Sequence, residues 1–312
     1  MLRFLQKPFA YAAVFSVTLA SVNTFVLLKT YVIPTVQGYV TEVSDDSSGS
    51  SGHSGYSGTT AVTKGDPVVT DNSYTDENIQ ITLTTVRYAD TDVYVADITL
   101  SSAEYLKTAL ASNTFGTNVT QKTSEMAAAH NAILAVNGDY YGASRRGYVI
   151  KNGVIYRDTA RKDTSYDDLV IYSDGSFGIV NESEVTAQQL LDSGVVNLFA
   201  FGPALVQNGQ IAVSQNQEVG RAMANNPRTA IGIVDDLHYI IVVSDGRTNQ
   251  SEGLSLYQLA QVMQQYGCVT AYNLDGGGSS TMVFNGEVVN NPTTNGNRIS
   301  ERTVSDIVYI GY

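Results

Sequence analysis

The 312 residues are 43% hydrophobic and 15% charged, too apolar for disorder along the whole chain and too polar for a multi-pass membrane protein. Eighteen Lys and Arg against 30 Asp and Glu give a net charge of −12, and no basic patch interrupts it, which excludes a nucleic-acid partner. The single cysteine, Cys268, rules out an intramolecular disulfide and a cysteine-based zinc site; it reads as a small buried residue.

Phe9 to Leu28 carries no charge over 20 residues, enough for a helix to cross a bilayer's hydrocarbon core. Arg3 and Lys7 precede it, and Glu42, Asp45 and Asp46 follow, a bias that places the N-terminus inside and the remainder outside. A cleavable signal peptide competes with this reading. Its apolar region would ordinarily be ~7–15 residues and end at a small-residue site. The expectation is therefore a cytoplasmic N-terminus over 1–8 and an uncleaved signal-anchor over 9–33. Residues 34–78 are expected to be an extracytoplasmic linker, because Ser47 to Gly58 is built almost wholly of Gly and Ser.

From residue 79 to 312 the pattern is that of one α+β domain with mixed or antiparallel sheets and a few packed helices. Ile79–Leu83 and Val93–Ile98 alternate as strands. Four apolar pairs flank Asn152-Gly153, Asp174-Gly175, Asn208-Gly209 and Asn285-Gly286, each a hairpin signal. Ser101-Ser102-Ala103-Glu104 reads as a capping box opening a helix to about Ala111. Further helices are expected over 124–134, from Thr186, and from Ser255 to Gly267.

Three segments stand out chemically. Asn273-Leu274-Asp275-Gly276-Gly277-Gly278-Ser279-Ser280 runs from a strand into three glycines, whose bare N–H groups can form an anion-binding nest helped by the serine hydroxyls; a plain flexible loop is the alternative. Asn137-Gly138-Asp139-Tyr140-Tyr141 ends another strand beside two rings able to stack on a sugar, although Asn-Gly-Asp is also an ordinary turn. Asn226-Pro227-Arg228-Thr229 opens a strand, and Asp245-Gly246-Arg247 closes the next, with guanidinium forks suited to phosphate. Asp245-Gly246 alone is equally a turn. No Walker A lysine, H-E-x-x-H signature or G-x-S-x-G elbow occurs. A divalent cation such as Ca²⁺ would suit the acidic, extracytoplasmic setting, but no complete ligand motif is present.

Together with Gly202-Pro203-Ala204-Leu205 and Arg302-Thr303-Val304-Ser305-Asp306, these blocks resemble the phosphodiester glycosidase (uncovering-enzyme) family from about Ala132 to Ile310. Its bacterial relatives are described as exopolysaccharide-biosynthesis proteins. One departure is that the family's common Asn-Gly-Gly-Phe-Phe reads Asn137-Gly138-Asp139-Tyr140-Tyr141 here. The resemblance implies hydrolysis of sugar-1-phosphodiesters in a cell-envelope or exopolysaccharide glycan. It implies Asp275 as nucleophile or base, with Asp245 second. Arg228, then Arg302 and Arg247, would hold the phosphate. The N–H groups of Gly276, Gly277 and Gly278 and the hydroxyls of Ser279 and Ser280 would complete the cradle. Tyr140 and Tyr141 would hold the sugar, with Asn137, Gly138, Asp139, Thr229 and Asn273 lining the site. Arg228 and Asp275 are expected to share one hollow. A phosphodiesterase cutting the P–O bond and a non-catalytic glycan-binding protein are the alternatives.

Overall fold

Alternation of apolar side chains along the strand Arg228–Asp235 sets the layering: Ile231 and Ile233 face one core, and Ala230 the other. That strand is central in a nine-stranded sheet. In spatial order the sheet runs Gln210–Ile211, Ala204–Gln207, Thr270–Asn273, Arg228–Asp235, His238–Ser244, Thr91–Leu100, Ile79–Tyr88, Ser73–Thr75 and Val68–Thr70. A five-stranded sheet runs Glu287–Val288, Met282–Phe284, Leu134–Asn137, Asp306–Ile310 and Leu106–Leu110. The computed structural model describes residues 8–40, 66–163, 165, 167–219 and 225–312, and among them every strand pairing in these two sheets is antiparallel.

The main core lies between the two sheets. Ile81, Ala96, Ile98 and Ile241 from the first meet Leu134, Val136, Met282, Val308 and Ile310 from the second. Residues Leu169 and Ile171 of a three-stranded sheet extend this layer. The opposite face of the large sheet is covered by the helix Leu256–Gln265, whose Leu256, Leu259, Ala260 and Met263 pack on Val242, Ala230 and Ala271. Ser255 starts that helix with a reciprocal cap: its hydroxyl accepts from the Gln258 N–H, and the Gln258 side chain accepts from its own N–H. The outer face of the five-stranded sheet is covered by Thr123–Ala129, through Met126 and Ala127.

All four expected hairpins form. Asn152, Asn208 and Asn285 take φ of 50°, 50° and 49°, and the glycine after each is also at positive φ, the geometry of a two-residue turn whose twist matches its strands. The helix expected over 101–111 does not form. Its capping serine, Ser102, starts only a 3-10 turn at Ala103–Tyr105, and Leu106–Leu110 leaves it as a strand paired with Asp306–Ile310. The pairing supplies five residues with inter-strand partners, which outweighs a local cap worth ~1 kcal/mol.

The apolar segment forms the helix Pro8–Tyr31. The expected N-terminal cytoplasmic residues 1–7 and the Gly/Ser run Ser47 to Gly58 lie outside the described residues. Order begins earlier than residue 79, however. Val68–Thr70 and Ser73–Thr75 form a hairpin that extends the large sheet, and Thr35–Tyr39 pairs with Thr114–Thr117.

Candidate functional site

Antiparallel pairing places the start of one strand beside the end of its neighbour. Arg228 lies opposite Ser244, and Ala230 opposite Asn273, so the segments leaving the large sheet at 226–228, 245–247 and 274–279 emerge on one rim. Leu134–Asn137 of the second sheet ends at the same rim. The Asn137 side chain joins the two layers: its Nδ2 donates to the Asp275 carbonyl at 2.6 Å, and its Oδ1 accepts from the Thr229 hydroxyl at 2.8 Å and the Thr281 N–H at 3.2 Å. The Asp275 N–H donates to the Gly138 carbonyl at 3.1 Å. The first and third sequence blocks are thus fixed to each other through the second.

At this rim a cavity of about 270 Å³ is lined by Tyr140, Phe201, Asn226, Arg228, Arg247, Asp275, Gly276, Gly277 and Arg302, with Val219. A second, of about 240 Å³, shares Tyr140, Asp275 and Arg302 and adds Asn118, Thr120 and Ser279. Arg228 and Asp275 therefore share one hollow, with two further guanidinium groups. Among the described residues lining the two cavities, Asp275 is the one carboxylate.

Asp275 is 7% exposed. Its Oδ2 accepts from the Ser279 hydroxyl at 2.6 Å and from Arg302 at 3.3 Å. Burial raises its pKa above the ordinary carboxylate value; Arg302, Ser279 and the Gly276 N–H pull the other way without cancelling it. Arg302 also donates to the Ser279 hydroxyl through Nε at 3.0 Å and to the Gly276 carbonyl at 3.2 Å. Arg247, at a left-handed φ of 61°, donates twice to the Asn226 amide oxygen, at 3.1 and 2.7 Å, and also to the Thr294 carbonyl. Burial and then the Arg302 charge lower its pKa. Arg228 is 3% exposed; it donates to the Leu254 carbonyl at 2.9 Å and pairs with Glu218 at 2.5 Å. Burial lowers its pKa, and Glu218 opposes that. Tyr140 is 54% exposed and lines both cavities.

The glycines serve close approach. Gly277 has φ of 63°, and a Cβ there would lie 3.0 Å from an Arg247 guanidinium nitrogen. Part of the expected nest of N–H groups is engaged within the protein. The Gly277 N–H donates to the Pro227 carbonyl at 2.8 Å, and the N–H groups of Ser279 and Ser280 close the turn onto Gly276 and Gly277. Gly278 has no space for a side chain beside Thr294, and Ser280 is fully buried.

Several other expected site residues lie outside the linings of both cavities. Asp245, expected as the second carboxylate, lines neither cavity. It is buried away from both cavities, where it accepts from the Asn291 N–H and Nδ2, each at 2.8 Å, and from the Tyr94 hydroxyl at 3.3 Å. Tyr141, expected beside the sugar, lines neither cavity: its ring is buried, stacked 5.4 Å from Phe115, with its hydroxyl donating to the Ser305 carbonyl. Asp139 accepts from the N–H groups of Tyr140 at 2.5 Å and Ala200 at 2.7 Å. Thr229 and Asn273 are fully buried, Asn273 donating to the Gly202 carbonyl at 2.7 Å. Gly138 abuts Asp306, and a Cβ there would lie 2.7 Å from its carboxylate. The sequence reading gave no role to Asn226 and did not single out Phe201, Glu218, Asn118 or Thr120. Only Asn226, inside a quoted block, and Phe201, beside one, carried a signal. No group of three or more His, Cys, Asp or Glu side chains suited to a metal ion gathers among the described residues.

Residues 130–311 match the family described as phosphodiester glycosidase. The chain is 32% identical over 204 residues to the SPbeta prophage-derived uncharacterized protein YomE of Bacillus subtilis, covering 64% of this chain and 31% of that protein. It is 32% identical over 175 residues to N-acetylglucosamine-1-phosphodiester alpha-N-acetylglucosaminidase of Mus musculus, covering 51% and 33%. It thus spans about a third of the length of these relatives. Among solved structures, the zebrafish N-acetylglucosamine-1-phosphodiester alpha-N-acetylglucosaminidase catalytic domain, auto-inhibited by its pro-peptide, aligns with a TM-score of 0.59 at 20% identity, covering 75% of this chain and 83% of that one. A hypothetical protein from Synechocystis aligns with a TM-score of 0.56 at 14% identity, covering 75% and 62%. The family match extends over more than half of the chain and contains Arg228, Arg247, Asp275 and Arg302, so this protein belongs to the phosphodiester glycosidase family.

Proposed function

We propose that this chain is a membrane-anchored, extracytoplasmic hydrolase that cleaves sugar-1-phosphodiester bonds of cell-envelope or exopolysaccharide glycans. The reading rests on one observation: three arginines and a single buried carboxylate line a common cavity together with an exposed tyrosine. In a chain of net charge −12, this local excess of cationic groups is where an anionic phosphodiester would be attracted. The N-terminal apolar helix supports the anchor, with residues 1–8 inside and the domain outside.

The leaving group is a phosphate monoester, already a weak base, so the reaction needs little general-acid help. One carboxylate then suffices where most glycosidases use two. Arg247, Arg302 and Arg228 neutralise the phosphate, and Tyr140 covers the sugar. Asp275 accepts a proton from water, whose oxygen bonds to the anomeric carbon. The C–O bond electrons leave with the phosphate oxygen, giving free sugar and a phosphate monoester. Asp275 acting directly as nucleophile gives the same products by two steps.

The test is to incubate the full chain with synthetic sugar-1-phosphodiesters in ¹⁸O water. Free sugar carrying the label supports the proposal. Label in the phosphate instead would make the protein a P–O phosphodiesterase, and binding without release would make it a glycan-binding protein. Repeating the assay with a chelator tests the divalent cation.

A further inference from the structure

The anchor and the cavity are joined by a direct structural path. The helix Pro8–Tyr31 is followed after a short turn by the strand Thr35–Tyr39, which pairs antiparallel with Thr114–Thr117. The fit is close: a side chain at Gly116 would collide with the Thr35 carbonyl oxygen. Asn118, just beyond the end of the partner strand, has two relationships. Its Nδ2 donates to the Thr30 carbonyl in the last turn of the helix at 3.1 Å and to the Ile33 carbonyl at 3.4 Å. The same residue lines the cavity of about 240 Å³ together with Thr120, Tyr140, Asp275, Ser279 and Arg302. A side chain in contact with the end of the anchor thus forms part of the wall of the candidate site.

The surface beside it is apolar. Tyr31, Val32, Ile33, Val36 and Tyr39 are all exposed. Tyrosines at the end of an apolar span, followed by aliphatic side chains facing outward, suit the headgroup region of a bilayer. The cavity wall therefore lies within about 15 Å of the helix end, allowing two extended residues and one inter-strand spacing.

We infer that the site is held at the outer membrane–water interface and acts on sugar-1-phosphodiesters whose aglycone is a lipid of that membrane, because Asn118 joins the cavity wall to the end of the anchor. This rests on the hydrolase reading above. The balanced reaction is sugar–O–PO₂⁻–O–lipid plus water, giving free sugar and a lipid phosphate that stays in the bilayer. The anomeric C–O bond breaks, the water oxygen goes to the sugar, and a water proton is left for the phosphate monoester. Confining enzyme and substrate to one surface raises their effective concentration without any new contact.

The experiment uses the full chain reconstituted in phosphatidylcholine vesicles. One probe is N-acetylglucosamine 1-phosphate esterified to hexadecanol in the same vesicles, and the other is its methyl ester in solution. The lipid ester should release sugar at least tenfold faster at equal total concentration. A variant with four Glu-Ala-Ala-Ala-Lys repeats inserted between Pro34 and Thr35 lifts the docked domain by about 30 Å where the insert is helical. It should lose that advantage while keeping the methyl-ester rate. If the methyl ester is hydrolysed but the lipid ester is no faster, or the spacer variant keeps the advantage, the lipid assignment is overturned and the hydrolase reading stands. If neither ester releases sugar, both are overturned.

Discussion

Asp275 is held between opposing influences. Burial favours its neutral form, while Arg302, Ser279 and the Gly276 N–H favour the charged one. A carboxylate that must be ionised to act loses activity as pH falls through its pKa. Removing Arg302 takes away the charge that lowers this pKa, so the acid limb of the pH–rate profile for Arg302→Gln should move to higher pH. An unmoved limb would show that the limb belongs to another group. If Asp275 is the base proposed above, Asp275→Asn should reduce sugar release by ~10²–10⁴-fold with the fold intact by circular dichroism, the range that a positioned general base contributes. Arg228→Lys should raise KM more than it lowers kcat, since lysine replaces the fork by a point charge. Residue types at strand ends made Arg228, Arg247, Tyr140 and Asp275 legible as one site. Asp245 has the same local signature, an aspartate followed by glycine after an apolar strand. Its role is decided by Asn290 and Asn291, 45 and 46 positions further on, which no local pattern could reveal.

Elements were legible where their signal was self-contained. Asn-Gly turns specify positive φ at both positions, so the hairpins formed as expected. The capping box at Ser101–Glu104 was overruled by pairing with Asp306–Ile310, a strand about 200 residues away in sequence. That same strand carries Asp306, fully buried and paired with Lys151 at 2.7 Å, the lysine nitrogen lying 3.6 Å from the Phe199 ring centre. Asp306 also accepts from the Asp139 N–H at 2.7 Å and so supports the turn leading to Tyr140. Nothing in the sequence marked Lys151 as buried. Lys151→Met would leave a charge without its partner in the core, and denaturant unfolding should show a loss of about 3–5 kcal/mol. Unchanged stability would mean that Asp306 takes up a proton and tolerates the loss.

At the scale of the molecule, the large sheet takes in strands that lie before residue 79, within the segment expected to be linker. The hairpin Val68–Thr70 and Ser73–Thr75 pairs onto Ile79–Tyr88, with Tyr74 opposite Ile81 and part of the main core. A fragment from residue 79 would bare that edge to other chains. It should aggregate in size-exclusion chromatography and melt below a fragment from residue 66; equal behaviour would show that the hairpin is dispensable. The short strands involved, three residues each, are too brief to register as alternation beside a Gly/Ser run. One amide, that of Asn137, bonds to groups from both layers and from the turn that begins at Asp275. Neither layer can slide against its neighbour while that amide keeps its partners, so this protein has no route to a folded but disassembled site. On slow heating, turnover and tertiary structure should fail at one temperature, with no inactive yet native-like stage in between.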